Sequence, residues 1–233
     1  MVLLSGLGKV ALTLGSVLAG ALLAFWFQNI RENRIKRNDR LEAIIRTQHS
    51  LYFMWSILAA IRYTYLDERR DDPKRHRMLR IYWLPDYRIP IDFNSITFLH
   101  QPSFRALLTN IFMAERCFLS AIDAVLERNR RLEEFVPKPG TEHQFDPVTK
   151  VLVTPLDQVK DSLLKSATDA LYNSIDNGMG SLEHTFSQLR ECAKTMFPDA
   201  SGFMRESNLT RDGYFAARGQ KPPDQATNPT SPS

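Results

Sequence analysis

Cysteine and glycine are scarce in this chain of 233 residues, which contains 2 cysteines and 10 glycines. So few cysteines exclude a disulfide-stapled scaffold, and so few glycines exclude a collagen-like repeat. Metal-ligand spacing is also missing, because none of the 5 histidines has another histidine or a cysteine three or four residues away. The chain is not wholly disordered, since 43% of its residues are hydrophobic and 24% are charged.

Sequence motifs of known catalytic sites are absent as well. The chain contains no glycine-rich phosphate loop, no Walker pattern and no G-x-S-x-G nucleophile elbow. The acids between Asp67 and Asp72 are interleaved with arginines, which is typical of a solvated helix end and not of a paired-carboxylate site. We therefore expect no enzymatic activity, no catalytic residue, no bound metal and no cofactor.

One long run, Val10 to Ile30, carries no charged side chain. A helix of its 21 residues is about 30 Å long, enough to cross the hydrocarbon core of a bilayer. Trp26 lies near the end of the run, where aromatic rings occupy the membrane interface. We predict a membrane anchor over residues 1–30 that contacts the lipid bilayer and favours homo-oligomers through a face of small residues. Gly15, Ser16 and Gly20 are small residues of the span, and of these Ser16 and Gly20, four residues apart, share that face.

Basic residues follow this run at once, whereas Lys9 alone precedes it. Positive charge marks the cytoplasmic side of a membrane segment, so the pattern predicts a single-pass protein of the cell inner membrane with a cytoplasmic C-terminal domain. A cleaved signal peptide is disfavoured, because its positive charge would come before the apolar run. The juxtamembrane basic residues are Arg31, Arg34, Lys36, Arg37 and Arg40.

A second apolar run extends from Leu51 to Leu66 and contains Arg62. It is shorter than a usual span and has arginines on both sides, so its helical spacing favours a buried bundle helix. A second crossing, which would make the protein two-pass, and a helix lying on the bilayer surface are the alternatives. The side chains that a second membrane or interface segment would use are Leu51, Trp55, Leu58 and Ile61.

The remaining sequence predicts a mostly helical body, and the fold class is all-α. Prolines among aromatic residues indicate an irregular crossover, and the broad apolar stripes after it indicate a helical bundle with one short strand near Val148 to Thr154. Glu127 and Arg128 fall on the polar face of the first bundle helix. Gly178 and Gly180 mark either a kink or a break between two helices. The predicted segments are the anchor 1–30, the juxtamembrane basic helix 31–72, the crossover 73–103, the helical bundle 104–197 and a flexible, disordered tail 198–233.

A basic cluster opens the crossover. It is followed by Tyr82 and Trp83, so it resembles a patch that grips phosphates and stacks bases. Neighbouring acids dilute the charge and no RNA-binding motif accompanies it, so contact with solvent or lipid is the preferred interpretation and no direct nucleic-acid binding is expected. The cluster comprises Lys74, Arg75, Arg77 and Arg80.

The layout of an N-terminal span (VALTLGSVLAGALLAFWF), a second apolar run (LYFMWSILAAI) and a helical body resembles the small transmembrane effectors encoded beside retron reverse transcriptases. The likeness is one of layout and covers about the first third of the chain. It implies an antiviral defence effector whose toxicity is restrained by a reverse transcriptase with its RNA–DNA product. Release on phage infection would then cause membrane damage.

Two functional hypotheses follow. In the first, the protein is an antiphage effector that oligomerises and perturbs the membrane when its regulatory protein or nucleoprotein partner releases it. In the second, it is a non-toxic membrane scaffold or sensor subunit that holds a soluble partner at the membrane.

Overall fold

The computed structural model describes residues 2–84, 87–135, 144–146, 151–153, 158–203 and 209–219. Side chains are described at residues 18, 20–84, 87–135, 158–200, 209–216, 218 and 219. Apart from turns, loops and one small hairpin, the described residues are helical, so the predicted all-α class is confirmed. The α-helices are α1 (Val2–Ile61), α2 (Arg75–Met78), α3 (Arg105–Phe135), α4 (Gln158–Met196) and α5 (Arg211–Ala217).

Helix α1 ends in a change of helix type. After Ile61 the chain forms a π-helical turn, Arg62–Leu66, and then a tighter 3-10 turn, Asp67–Arg69. Helical geometry therefore continues close to Pro73, which cannot donate a backbone hydrogen bond and is the stop that the sequence predicts. The transition brings the charged residues that follow α1 to the surface of α4, as described below.

The crossover between α2 and α3 has little regular structure, as its prolines predict. Residues 79–84 and 87–92 form neither helix nor strand, and a 3-10 turn, Thr97–His100, precedes α3. The crossover is nevertheless packed against the bundle, because four of its apolar side chains are buried. These are Leu79, Ile91, Ile96 and Leu99.

The hairpin lies between α3 and α4. Its strands are β1 (Gln144–Asp146) and β2 (Val151–Val153), which pair in antiparallel fashion with Phe145 opposite Leu152. Strand β2 falls within the segment that the branched residues of the sequence predict as a short strand.

The core lies where α4 packs against both α3 and the second half of α1. Each helix contributes apolar side chains at intervals of three or four residues, so one face of each is buried. Burying one such side chain stabilises the fold by about 1.5–3 kcal/mol. Representative core residues are Trp55, Leu58, Phe118, Ile122, Ile175 and Leu182.

Helix α5 differs from the prediction of a flexible tail from residue 198 onward. Thr210 caps this helix by accepting a hydrogen bond from the Gly213 amide at 3.2 Å. Tyr214 and Phe215 are buried and make ring contacts with Tyr63 at 5.4 and 5.9 Å between centroids. Two adjacent aromatic side chains thus attach α5 to the end of α1. The sequence does not predict this helix, because seven residues are too few to show a helical periodicity.

Helix α4 continues through both of its internal glycines, so the alternative of two separate helices is not what forms. A Cβ added at Gly178 would lie 2.8 Å from Leu58 Cδ1 and 3.4 Å from the carbonyl oxygen of Cys117. Because Gly178 has no side chain, α1 and α3 can both pack closely against α4 at this point. At Gly180, by contrast, an added Cβ would meet no atom within 4 Å.

We predict opposite effects of alanine at these two glycines. Gly180→Ala should raise the free energy of unfolding by about 0.5–1 kcal/mol through helix propensity. Gly178→Ala should lower it by about 1 kcal/mol, because overpacking a core costs about 1–3 kcal/mol and outweighs that gain. Denaturant unfolding of the full chain in neutral detergent measures both, and an equal rise in the two variants would contradict the close approach at Gly178.

Candidate functional site

The first described side chains of α1 form an apolar arm, residues 18–27, which stands clear of the bundle. Phe25 is 70% exposed and Trp26 is 57% exposed, although both belong to residue types that are usually buried. Singly exposed apolar residues are common on proteins, but a continuous group of this size marks a surface that contacts something else. Its large members are Leu18, Leu22, Leu23, Phe25, Trp26 and Phe27.

The predicted membrane-span residues are only partly within the described structure. The side chains of Val10, Gly15 and Ser16 lie outside the described residues. Gly20 has open space around it, and Ile30 is the first half-buried position along the helix. Among the residues whose side chains the structure describes, which exclude 1–17 and 19, no helix has both the length and the apolarity needed to cross a membrane.

The predicted juxtamembrane basic residues occupy an exposed stretch of α1 between the arm and the bundle. Arg31, Arg34 and Lys36 have no ion-pair partner among the described residues, so their charge is available to an external group. Arg37 pairs with Asp199 at 3.0 Å, and Arg40 lies 5.7 Å from the centre of the Phe98 ring. These two contacts mark where the bundle begins to surround α1.

The second apolar run lies inside the bundle. Leu51, Trp55, Leu58 and Ile61 are at most 1% exposed, so the folded bundle leaves none of these four side chains free to contact a membrane. The Trp55 indole also donates a hydrogen bond to Glu183 Oε1 at 2.9 Å, which satisfies its polar end. The structure thus places the run as the bundle-helix interpretation expects.

A row of acids runs along one face of α4, and we call it the carboxylate row. Its members are seven or eight residues apart, a spacing that returns to nearly the same side of a helix every two turns. The row consists of Asp161, Asp169, Asp176 and Glu183.

Each member of the carboxylate row has a partner between Trp55 and Arg77, and the partners occur in the reverse order along the chain. Asp176 pairs with Arg62 at 3.2 Å and also with Arg70, whereas Asp169 pairs with Arg75 at 2.7 Å. Because the two segments are antiparallel, every pairing supports the same register. The acids of α4 therefore hold the segment that follows α1 against the bundle.

Asp161 binds two side chains of α2. It accepts hydrogen bonds from Arg77 Nε at 2.7 Å and lies 3.0 Å from His76 Nε2. The Arg77 guanidinium, and after it the His76 ring, hold the pKa of Asp161 below its usual value. His76 itself is buried, so Asp161 fixes α2 at the surface of α4.

Two members of the predicted basic cluster bind α4, although Arg77 is still exposed to solvent. Arg75 and Arg77 are paired with α4, and the Arg75 guanidinium carbon also lies 4.5 Å from the centre of the Tyr172 ring. The sequence carries a signal for this pairing in the repeated acids of α4. It shows no sign of which basic segment they face, since that depends on the tertiary fold.

Among the described residues, no group of three histidines, cysteines or acids is placed to hold a metal ion. Burial raises the pKa of the Cys192 thiol to about 11, which leaves it protonated and unreactive near neutral pH. Comparisons with protein-family models, curated proteins and solved structures give no match.

We predict that Asp161→Asn lowers the free energy of unfolding by about 1–2 kcal/mol at pH 7, because it removes charge-assisted hydrogen bonds to α2. A carboxyl whose pKa folding lowers stabilises the protein above its unfolded pKa of about 3.9, and this stabilisation is lost as the pH falls through the folded value. The difference between wild type and variant should therefore shrink as the pH falls below about 4.

Denaturant unfolding at several pH values measures this difference. Asp123→Asn is the matched control, since Asp123 is exposed on α3 and has no ion-pair partner among the described residues. A stability loss in Asp161→Asn that stays the same from pH 7 to pH 3 would contradict the role of the charged carboxylate.

Proposed function

We propose that this protein is a membrane-anchored scaffold, in which the N-terminal half of α1 lies in a lipid bilayer and carries the helical bundle at the membrane surface. The observation that carries the proposal is the division of α1. Its apolar arm stands outside the bundle, whereas Leu51, Trp55, Leu58 and Ile61 of the second apolar run are buried within it. A single helix is thus apolar and unpartnered at one end, and apolar and packed at the other.

Support for lipid as the occupant of the arm comes from apolarity and length together. Transfer of the six large apolar side chains of the arm from water to lipid would be favourable by about 10 kcal/mol in total. They belong to the charge-free sequence between Val10 and Ile30, which is helical throughout. Trp26 and Phe27, in edge-to-face contact at 5.3 Å, stand near the end of that sequence and suit the headgroup boundary.

The orientation of the proposed anchor follows from the basic residues. Arg31, Arg34 and Lys36 directly follow the apolar sequence and have no ion-pair partner among the described residues. Anionic headgroups attract each such residue by about 1 kcal/mol. The bundle then lies on the cytoplasmic side of the cell inner membrane, and the exposed small residue Gly20 allows close approach of a second copy.

The scaffold is preferred to the membrane-perturbing effector because of the second run. An effector that inserts Leu51 to Leu66 would first have to remove Trp55 and Leu58 from the core. Truncating buried side chains of this size costs about 2–5 kcal/mol each. The free-energy cost of removing the whole buried face of the run from the core is therefore close to the free energy of unfolding of a domain. The folded bundle is better suited to present a constant surface to a soluble partner.

We predict that the wild-type chain stays in the membrane pellet after carbonate washing, whereas the double variant Leu22→Glu with Leu23→Glu is largely released. Each charged residue near the centre of a span costs about 3 kcal/mol. Val159→Glu is the matched control, because Val159 is 62% exposed on the bundle and should not alter fractionation. Recovery of the intact wild-type chain in the soluble fraction would contradict the anchor.

A second prediction separates the scaffold from the effector. Induced expression of the wild-type chain should leave growth and dye exclusion unchanged, because the second run stays buried. If growth arrest and dye entry appear and then disappear in Leu58→Asp, the effector hypothesis is supported and the scaffold is contradicted. The double variant Leu22→Glu with Leu23→Glu, expressed at the same level, controls for toxicity that comes from the arm alone.

A further inference from the structure

A cavity of about 220 Å³ lies where the end of α1, the start of the crossover and the middle of α3 meet. We call it the arginine cavity. The π-helical turn after α1 forms one wall, and Leu79 and Arg80 of the crossover form another. Its lining combines polar side chains with apolar ones, which is typical of a site that orients a small ligand. Its polar lining includes Thr64, Tyr65, Arg69, Tyr82, Arg128 and Asn129.

Arg128 lies at the base of this cavity and is only 2% exposed, although the sequence places it on the polar face of α3. Its Nη1 donates to the carbonyl oxygen of Arg80 at 2.7 Å, and its Nη2 donates to that of Leu79. Its Nε is buried and has no hydrogen-bond partner among the described residues. One donor of a buried guanidinium thus lacks an acceptor.

The adjacent residue, Asn129, also binds the crossover by hydrogen bonds, and it does so without a charge. Its side-chain amide donates to the carbonyl oxygen of Tyr82 at 2.8 Å and accepts from the Tyr82 amide at 3.3 Å. A neutral residue therefore holds the same segment by two hydrogen bonds. A cation is not required for this purpose, and burying one is costly.

The charge of Arg128 is not balanced within the described structure, where no carboxylate forms an ion pair with it. Burial lowers the pKa of Arg128 to about 10, so the group is still charged at neutral pH. The wall adds Arg69 and Arg80, against the single acid Glu68, which is 76% exposed and pairs with Arg69 at 3.5 Å. The cavity therefore has a net positive lining around an unpartnered buried donor.

We propose that the arginine cavity binds the phosphate group of a small soluble molecule, with Arg128 at its base and Arg69 and Arg80 at its entrance. Guanidinium groups bind phosphate through paired, charge-assisted hydrogen bonds, and a phosphate would balance the charge of Arg128, with which no carboxylate of the described structure forms an ion pair. Thr64 and Tyr65, whose side chains carry hydroxyl groups, line the same cavity. The volume suits a small phosphate compound and not a large cofactor.

The position of the cavity favours a free phosphate compound over a lipid headgroup. It adjoins Ile61, which is 31 residues beyond Ile30 on one continuous helix, or about 46 Å along the helix axis. A headgroup at the level of Ile30 cannot reach that far. The cavity stands on the geometry of the bundle alone, whereas the choice of a free phosphate compound over a lipid headgroup rests on the membrane anchoring proposed above.

The test is a titration of the full chain, purified in neutral detergent without lipid, with inorganic phosphate at constant ionic strength set by chloride. Calorimetry and the thermal unfolding midpoint are both recorded. Phosphate should bind the wild type and raise its unfolding midpoint. The double variant Arg69→Gln with Arg80→Gln should bind about tenfold more weakly, the usual effect of losing charge-assisted hydrogen bonds. Arg128→Gln should not bind detectably.

Arg116→Gln is the matched control, since Arg116 is an exposed arginine of α3 that does not line the cavity. It should keep the wild-type affinity. Because both entrance arginines are exposed, their double variant keeps the proposal falsifiable even if Arg128→Gln fails to fold. Unchanged affinity in that variant, or no phosphate effect beyond that of chloride, would overturn the site.

Two further arms define the ligand. Acetate should bind more weakly than phosphate at the same ionic strength, and equal binding would overturn the assignment to phosphate. Adding phosphatidic acid to the micelles should leave the affinity for inorganic phosphate unchanged. If binding is detected only with that lipid, the free-phosphate assignment is overturned.

Discussion

The close approach of α1 and α4 at Gly178 is the constraint on which the other contacts depend. With no side chain at that position, Leu58 fits against the backbone of α4, and α3 closes over the same point. The depth of this contact sets the distance between the axes of α1 and α4. Asp176 lies two residues before Gly178 on α4, and it pairs with Arg62, which lies four residues after Leu58.

Apolar burial and ion pairing contribute differently to this arrangement. Exposed ion pairs are each worth about 0–1 kcal/mol, whereas each buried core side chain is worth about 1.5–3 kcal/mol, so the core supplies most of the stability. The ion pairs supply alignment instead, because Asp161 and Asp176 fix where the segment after α1 lies along α4. That alignment places the crossover beside Arg128. The arginine cavity lies between them, with Arg128 at its base.

The core helices were predictable because burial repeats every three or four residues, and this repeat is visible over the length of α3 and α4. The roles of single charged residues were not. Arg128 is followed by exposed arginines in the sequence, and only the tertiary fold shows that Leu79 and Arg80 cover it. The short helix α5 was missed for a related reason, since two aromatic residues carry its contact without any repeat.

The continuity of α1 has a mechanical consequence. From Val2 to Ile61 the chain forms one helix, and glycine and proline are absent between Arg31 and Asp72, so there is no hinge at which the two ends can turn separately. Adding or deleting one residue in the exposed stretch would turn the bundle by about 100° about the helix axis and shift it by about 1.5 Å. The number of residues in that stretch therefore determines which side of the bundle faces a neighbour fixed to the arm.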